Sequence, residues 1–174
     1  MKILITENQF NLLKEIGDNS HSLDYIKIND YKYKFIVEGY PLLVVIQKVL
    51  LNKNQIAFTF RFGSELNGEL DPKHKVLNLG KPLKTMGTLS KIIFNFLKEE
   101  NPDILFFHAA RKYDTEDSTK NQRLKLYELF LTKAVNLIPE YNISKVDRVF
   151  IISKKEISVE NYSTDILNKN YKLF

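Results

Sequence analysis

Arg123 and Tyr127 stand four residues apart in a helical pattern, so one helix face would carry a guanidinium beside a phenol. Upstream, His108 and Arg111 close the apolar run that begins at Asp103. If that run is a strand ending beside the helix, these side chains meet at a strand's carboxyl end, a common place for ligands. Proton transfer there needs a base within hydrogen-bond reach, and His108 and Glu128 are the nearby groups able to serve. Tyr127 and His108 are therefore the catalytic candidates, and Arg111 and Arg123 are binding candidates. The same residues also fit a plainer arrangement, in which Tyr127 fills core space and its hydroxyl bonds Arg123 or a loop.

A second constellation is electrostatic. Residues 71–91 hold Lys73, Lys75, Lys81, Lys84 and Lys91 against the single Asp71, a net of +4. The predicted helix opens at Thr88 inside this stretch. Lysine charge and the free N–H groups of a helix start add in attracting a phosphate or polyanion, which makes Lys81, Lys84 and Thr88 binding candidates. The alternative is a solvated basic loop whose lysines keep their charge in water.

Other chemistries are excluded by composition. The chain has no cysteine, so disulfides, thiolate metal sites and a cysteine nucleophile are ruled out. His21, His74 and His108 are scattered, and no metal site is expected. There is no nucleophile-elbow glycine pattern with a Ser-His-Asp order, and no phosphate-binding Walker loop. Glu99 and Glu100 are adjacent, point different ways on a helix, and fit a solvated surface.

The formal net charge is +5, but only Arg61, Arg111, Arg123 and Arg148 of the 26 basic residues are arginines. Base and phosphate recognition favours the planar guanidinium, and a Lys- and Asn-rich chain fits AT-rich coding equally well, so no nucleic-acid partner is expected. No apolar run approaches a membrane span, and the start MKILITENQF lacks the pattern of a signal peptide; a soluble protein without a membrane partner is expected.

The elements that must position these groups follow from hydrophobic period. With 174 residues the chain is long enough for one self-sufficient core. A strand over Lys2–Ile5 and a helix from Thr6 to Gly17, with a capping-box Gln9, open it. From Tyr25 to Phe62 the period becomes that of strands, broken by turn residues at Asn29-Asp30, Glu38-Gly39 and Asn52-Lys53-Asn54. Ile56, Phe58 and Phe60 should share the buried face of this meander. Gly63–Lys75 reads as a long loop. Helices are predicted over Thr88–Glu100 and Gln122–Ile138, separated by a central strand from Asp103 to Ala110 and a polar loop from Arg111 to Asn121. A last strand covers Val146–Ser153.

The fold class is thus α+β: a single domain over 1–174, with an antiparallel meander sheet and two main covering helices. Residues 1–24 form its N-terminal strand and helix, 25–153 its core, and 154–174 a polar tail. Phe58, Phe60, Ile92, Phe96, Ile104, Phe106, Leu131 and Phe150 are expected inside. The tail has apolar anchors from Ile157 to Phe174, enough to dock on its own domain or on a neighbour.

This order of elements resembles the GNAT N-acyltransferase fold. In that family the helix after the meander starts at a glycine-rich loop that holds the coenzyme A pyrophosphate, and the second helix carries a Leu-Tyr pair whose phenol serves as general acid. Leu126-Tyr127 matches the pair. The loop does not match: Gly80 and Gly87 are seven apart with bulky residues between. The resemblance therefore implies the layout, with acetyl-coenzyme A as a cofactor only in the alternative reading as an acyltransferase, and no cofactor in the preferred one.

Residues 32 to 135 also resemble a family of small bacteriophage proteins. The matching features are the Tyr/Phe-rich meander, Gly80 before a Lys-containing link to Thr88, the strand Pro102 to Phe107, and the helix with Arg123 and Tyr127. That resemblance implies a phage source and a fold more than a reaction, and the preferred expectation beside it is a non-catalytic protein, either a virion or assembly component or a factor acting on a host protein. Its partners would be phage structural proteins or a host protein, and its location the virion or the host cytoplasm.

Overall fold

The computed structural model describes residues 22–71, 82–109 and 119–174. The strand and helix expected over residues 2–17, and the loop from Arg111, lie outside the described residues.

Strands β1 (Tyr25–Asn29), β2 (Lys32–Val37), β3 (Tyr40–Leu50) and β4 (Ile56–Leu66) form the antiparallel meander. Its turns follow local chemistry. The Asn29 side chain accepts a hydrogen bond from the Tyr31 N–H at 3.0 Å, an Asx turn that reverses the chain after β1. Glu38 and Gly39 both have positive φ, 49° and 80°, the two-residue hairpin geometry whose twist suits flanking strands. Asn67 and Gly68 repeat it at 52° and 80°, and here the expected loop over Gly63–Lys75 needs correcting. β4 runs on to Leu66 and turns back into β5 (Glu69–Leu70). Ion pairs from Lys34 to Glu65 and from Lys32 to Glu69 tie this mostly polar hairpin to β2, so its polar composition does not make it a loop.

Helix α1 (Pro82–Glu100) follows, then β6 (Ile104–His108), α2 (Thr119–Asn136), β7 (Tyr141–Val146) and β8 (Val149–Lys154). α1 begins at Pro82, one and a half turns before the expected Thr88. Proline is tolerated in a first turn, where its missing N–H has no intrahelical partner to lose, and buried Met86 extends the stripe of Leu89 and Ile93 upstream. α2 likewise starts at Thr119 and ends at Asn136, where Gln122 and Ile138 were expected. β7 was not expected: as an edge strand with Asn142, Ser144 and Lys145 it has little apolar alternation.

The sheet order is β1-β2-β3-β4-β6-β8-β7, mixed and mostly antiparallel. Among the described residues one strand pair is parallel, and it joins Phe58, Thr59 and Phe60 of β4 to Leu105, Phe106 and Phe107 of β6. Leu105 and Phe107 point with Phe58, Phe60 and Phe62 toward α1 and α2, where the larger core packs. Ile104 and Phe106 point to the other face, with Ala57, Val149 and Ile151. The eight residues expected inside are all buried, but Ile56 is exposed, and Ala57 and Thr59 between its supposed partners are buried too. The central sheet is covered on both faces, which explains the near-continuous apolar strands.

The cover of the second face is the tail. Residues 160–174 form α3 (Glu160–Asn168) and β9 (Lys172–Leu173), not an unassigned polar stretch. Ile166 is fully buried, and Ile157, Val159, Tyr162, Leu167 and Tyr171 pack around it. β9 pairs with Val49 and Leu50 of β3, beyond the point where β2 stops at Val45. The tail's apolar anchors thus serve its own domain.

Candidate functional site

The carboxyl ends of the parallel strands β4 and β6 are where the fold would offer a ligand site. On the helical face Phe60 and Phe62 of β4, Phe107 of β6 and Tyr127 of α2 converge. Phe62 and Phe107 stack with centroids 5.8 Å apart, and the Tyr127 ring stands edge-on to both, at 6.1 Å and 5.3 Å. Met86, Leu89 and Ile93 of α1 and Leu131 of α2 close the sides. The remaining cavity is about 10 Å³, room for one water at most. Ser90, the other polar group lining it, donates to the Phe130 carbonyl at 3.3 Å and so ties α1 to α2. No carboxylate or imidazole among the described residues lines this cavity.

His108 is elsewhere. Alternation along β6 puts it on the face opposite Phe107, edge-on to Phe106 at 5.6 Å, and Phe106 in turn meets Tyr171 of the tail at 5.3 Å. The His108 Nε2 is buried without a hydrogen-bond partner. Burial holds the imidazole below its ordinary pKa, and the Lys169 cation adds to the effect. Burial also pushes the Tyr171 phenol up, against the opposing pull of Arg61. Glu128, the other base considered, is solvent-facing and bound to Lys145 Nζ at 3.1 Å.

The binding candidates do not assemble into a described site. Thr88 is buried in the helix interior, where its hydroxyl donates to the Lys84 carbonyl at 2.9 Å and accepts from the Leu23 N–H at 2.8 Å. It fastens the chain entering β1 to α1. Lys84 is exposed in the first turns of α1. Lys81 and Arg111 lie outside the described residues, and for Arg123 only the helical backbone is described.

No family model and no curated protein matches the chain.

The residues that decide the site's chemistry, Phe62 and Phe107, are ones sequence reasoning passed over. Their signal was the alternating Phe58, Phe60, Phe62 of one strand facing the Phe-Phe pair of another. Together with Tyr127 they make an aromatic plug at this end of the parallel strands.

Proposed function

We propose that this chain is a non-catalytic bacteriophage protein that works through protein–protein contacts, as a virion or assembly component or as a factor directed at a host protein. The observation that carries the reading is the plug: an acyl or thioester group has no room between Phe62, Phe107 and Tyr127 in a cavity of about 10 Å³. The separation of His108 from Tyr127 supports it too, since acid and base on opposite faces of a sheet cannot share a substrate. The surface offers contact area instead. Ile26 on the edge strand β1 is 68% exposed and Ile36 on β2 is 58% exposed, and both project from the sheet face away from α1. Exposed apolar groups clustered on an edge are a usual feature of binding surfaces.

A second reading has one specific observation in its favour. The parallel pair β4/β6 with α1 between its strands, followed by α2 and the β7–β8 hairpin, supports a GNAT-like layout, and with it an acetyl-coenzyme A-dependent acyltransferase using Tyr127 as general acid.

Crosslinking in the producing cells, read by mass spectrometry, separates the two. The contact reading expects partner crosslinks at Lys32 and Lys34, which share the face of the exposed isoleucines, and their loss in an Ile26→Lys, Ile36→Lys double variant whose denaturation midpoint is unchanged. Crosslinks that survive the double substitution would count against this surface.

A further inference from the structure

The strap that follows α3 is held lightly. Lys169, at the helix end, has a left-handed backbone, φ 56°, and turns the chain back across the sheet. Beyond it, β9 contributes two paired positions to β3, and the Phe174 N–H donates to the Lys48 carbonyl at 3.2 Å. Leu173 is exposed, and Phe174 is 73% exposed. The firm anchor is Tyr171, whose ring lies on Phe106, which lies against His108.

His108 thus shares the Phe106 ring with the anchor, and its Nε2 is buried and unpartnered. Among the described residues the surroundings offer nothing to balance a charge there. The strap presents the Lys169 cation and the Tyr171 phenol, β4 presents Arg61 on the same face, and β8 places Val149 opposite, beside Arg148. The two carboxylates of α3 are turned elsewhere: Asp165 accepts from the Asn52 N–H at 3.3 Å, and Glu160 from the Ser158 hydroxyl at 2.6 Å.

We propose that residues 169–174 are an acid-released latch on the Val49–Leu50 edge of β3, opened by protonation of His108. The linkage fixes the direction. In the closed state the imidazole binds its proton less readily than an exposed histidine, so closure is complete above the ordinary histidine pKa of about 6.5 and weakens as pH falls through it. With an open-state pKa of about 6.5, the open-to-closed ratio rises by at most about 16-fold between pH 6.5 and 5.0.

The test is an NMR pH titration of the full chain from 8.0 to 5.0, following the His108 ring, the backbone of residues 170–174, and the β6 amides as a control. The expected result is that the tail's heteronuclear NOE values drop toward those of a free terminus as His108 titrates, while β6 stays folded. His108→Gln should abolish the drop, and Lys169→Asn, which keeps the left-handed turn and removes the like charge, should shrink it. A tail that stays ordered while His108 protonates overturns the proposal, as does an unchanged drop in both variants.

Discussion

His108 and Tyr127 flank the same strand from opposite sides: the phenol packs on Phe107 at 5.3 Å, and the imidazole on Phe106 at 5.6 Å. Adjacent strand residues face opposite ways, so two groups that a linear reading brings together are divided by a full sheet. Tyr127 belongs to the aromatic cluster on the helical face, and His108 to the face that carries the tail.

The helical core rests on rings. Phe96 is fully buried, edge-on to Phe58 at 5.3 Å and to Tyr31 at 6.4 Å. Phe96→Ala should cost about 3–5 kcal/mol in urea denaturation, and an unchanged midpoint would refute the assigned face of α1.

Thr88 acts as a structural clip. Thr88→Val keeps the shape but strands the Leu23 N–H and frees the Lys84 carbonyl. The expected loss is about 1–3 kcal/mol, accompanied by faster amide exchange at Leu23. Wild-type exchange at Leu23 would show that the clip holds nothing.

On the second face, Ile166 is the tail's central anchor. Ile166→Ala should cost about 2–5 kcal/mol, and removal of residues 157–174 should leave an unfolded or aggregating chain, because Phe106, Ile104 and Ile151 lose their cover. A soluble truncated protein with a cooperative melt would contradict that role.

These features were unequally legible in sequence. The i, i+3, i+4 stripe from Leu89 to Leu97 revealed α1, and the apolar run Ile104–Phe107 revealed a strand buried on both faces. α3 was hidden because its residues, ENYSTDILN, are weak helix formers with one fully buried member, Ile166; docking makes the helix, not propensity. Strand alternation makes His108 and Phe107 diverge, a consequence the sequence reading did not draw, and which face α2 covers is a long-range packing outcome that local spacing does not carry.

Electrostatic support at the start of β6 is pH-dependent. Asp103 accepts from Lys154 Nζ at 2.9 Å and from Gln55 Nε2 at 3.2 Å, and the Lys154 hydrogen bond holds its carboxyl below the usual range. A depressed carboxylate contributes stability above its unfolded pKa of about 3.9 and loses it as pH falls through the lower folded value. Asp103→Asn should therefore be less stable than wild type at pH 7 and converge with it below about pH 3. The gap should narrow in high salt, since the carboxylate is partly exposed. A gap that persists at pH 2 would point to packing instead of charge.

Titration calorimetry of the intact chain with acetyl-coenzyme A addresses the plug most directly. With Phe62, Phe107 and Tyr127 filling the carboxyl ends of β4 and β6, no saturable heat is predicted in the micromolar range. Saturable micromolar binding that is lost in Tyr127→Ala would contradict the account and restore the acyltransferase reading.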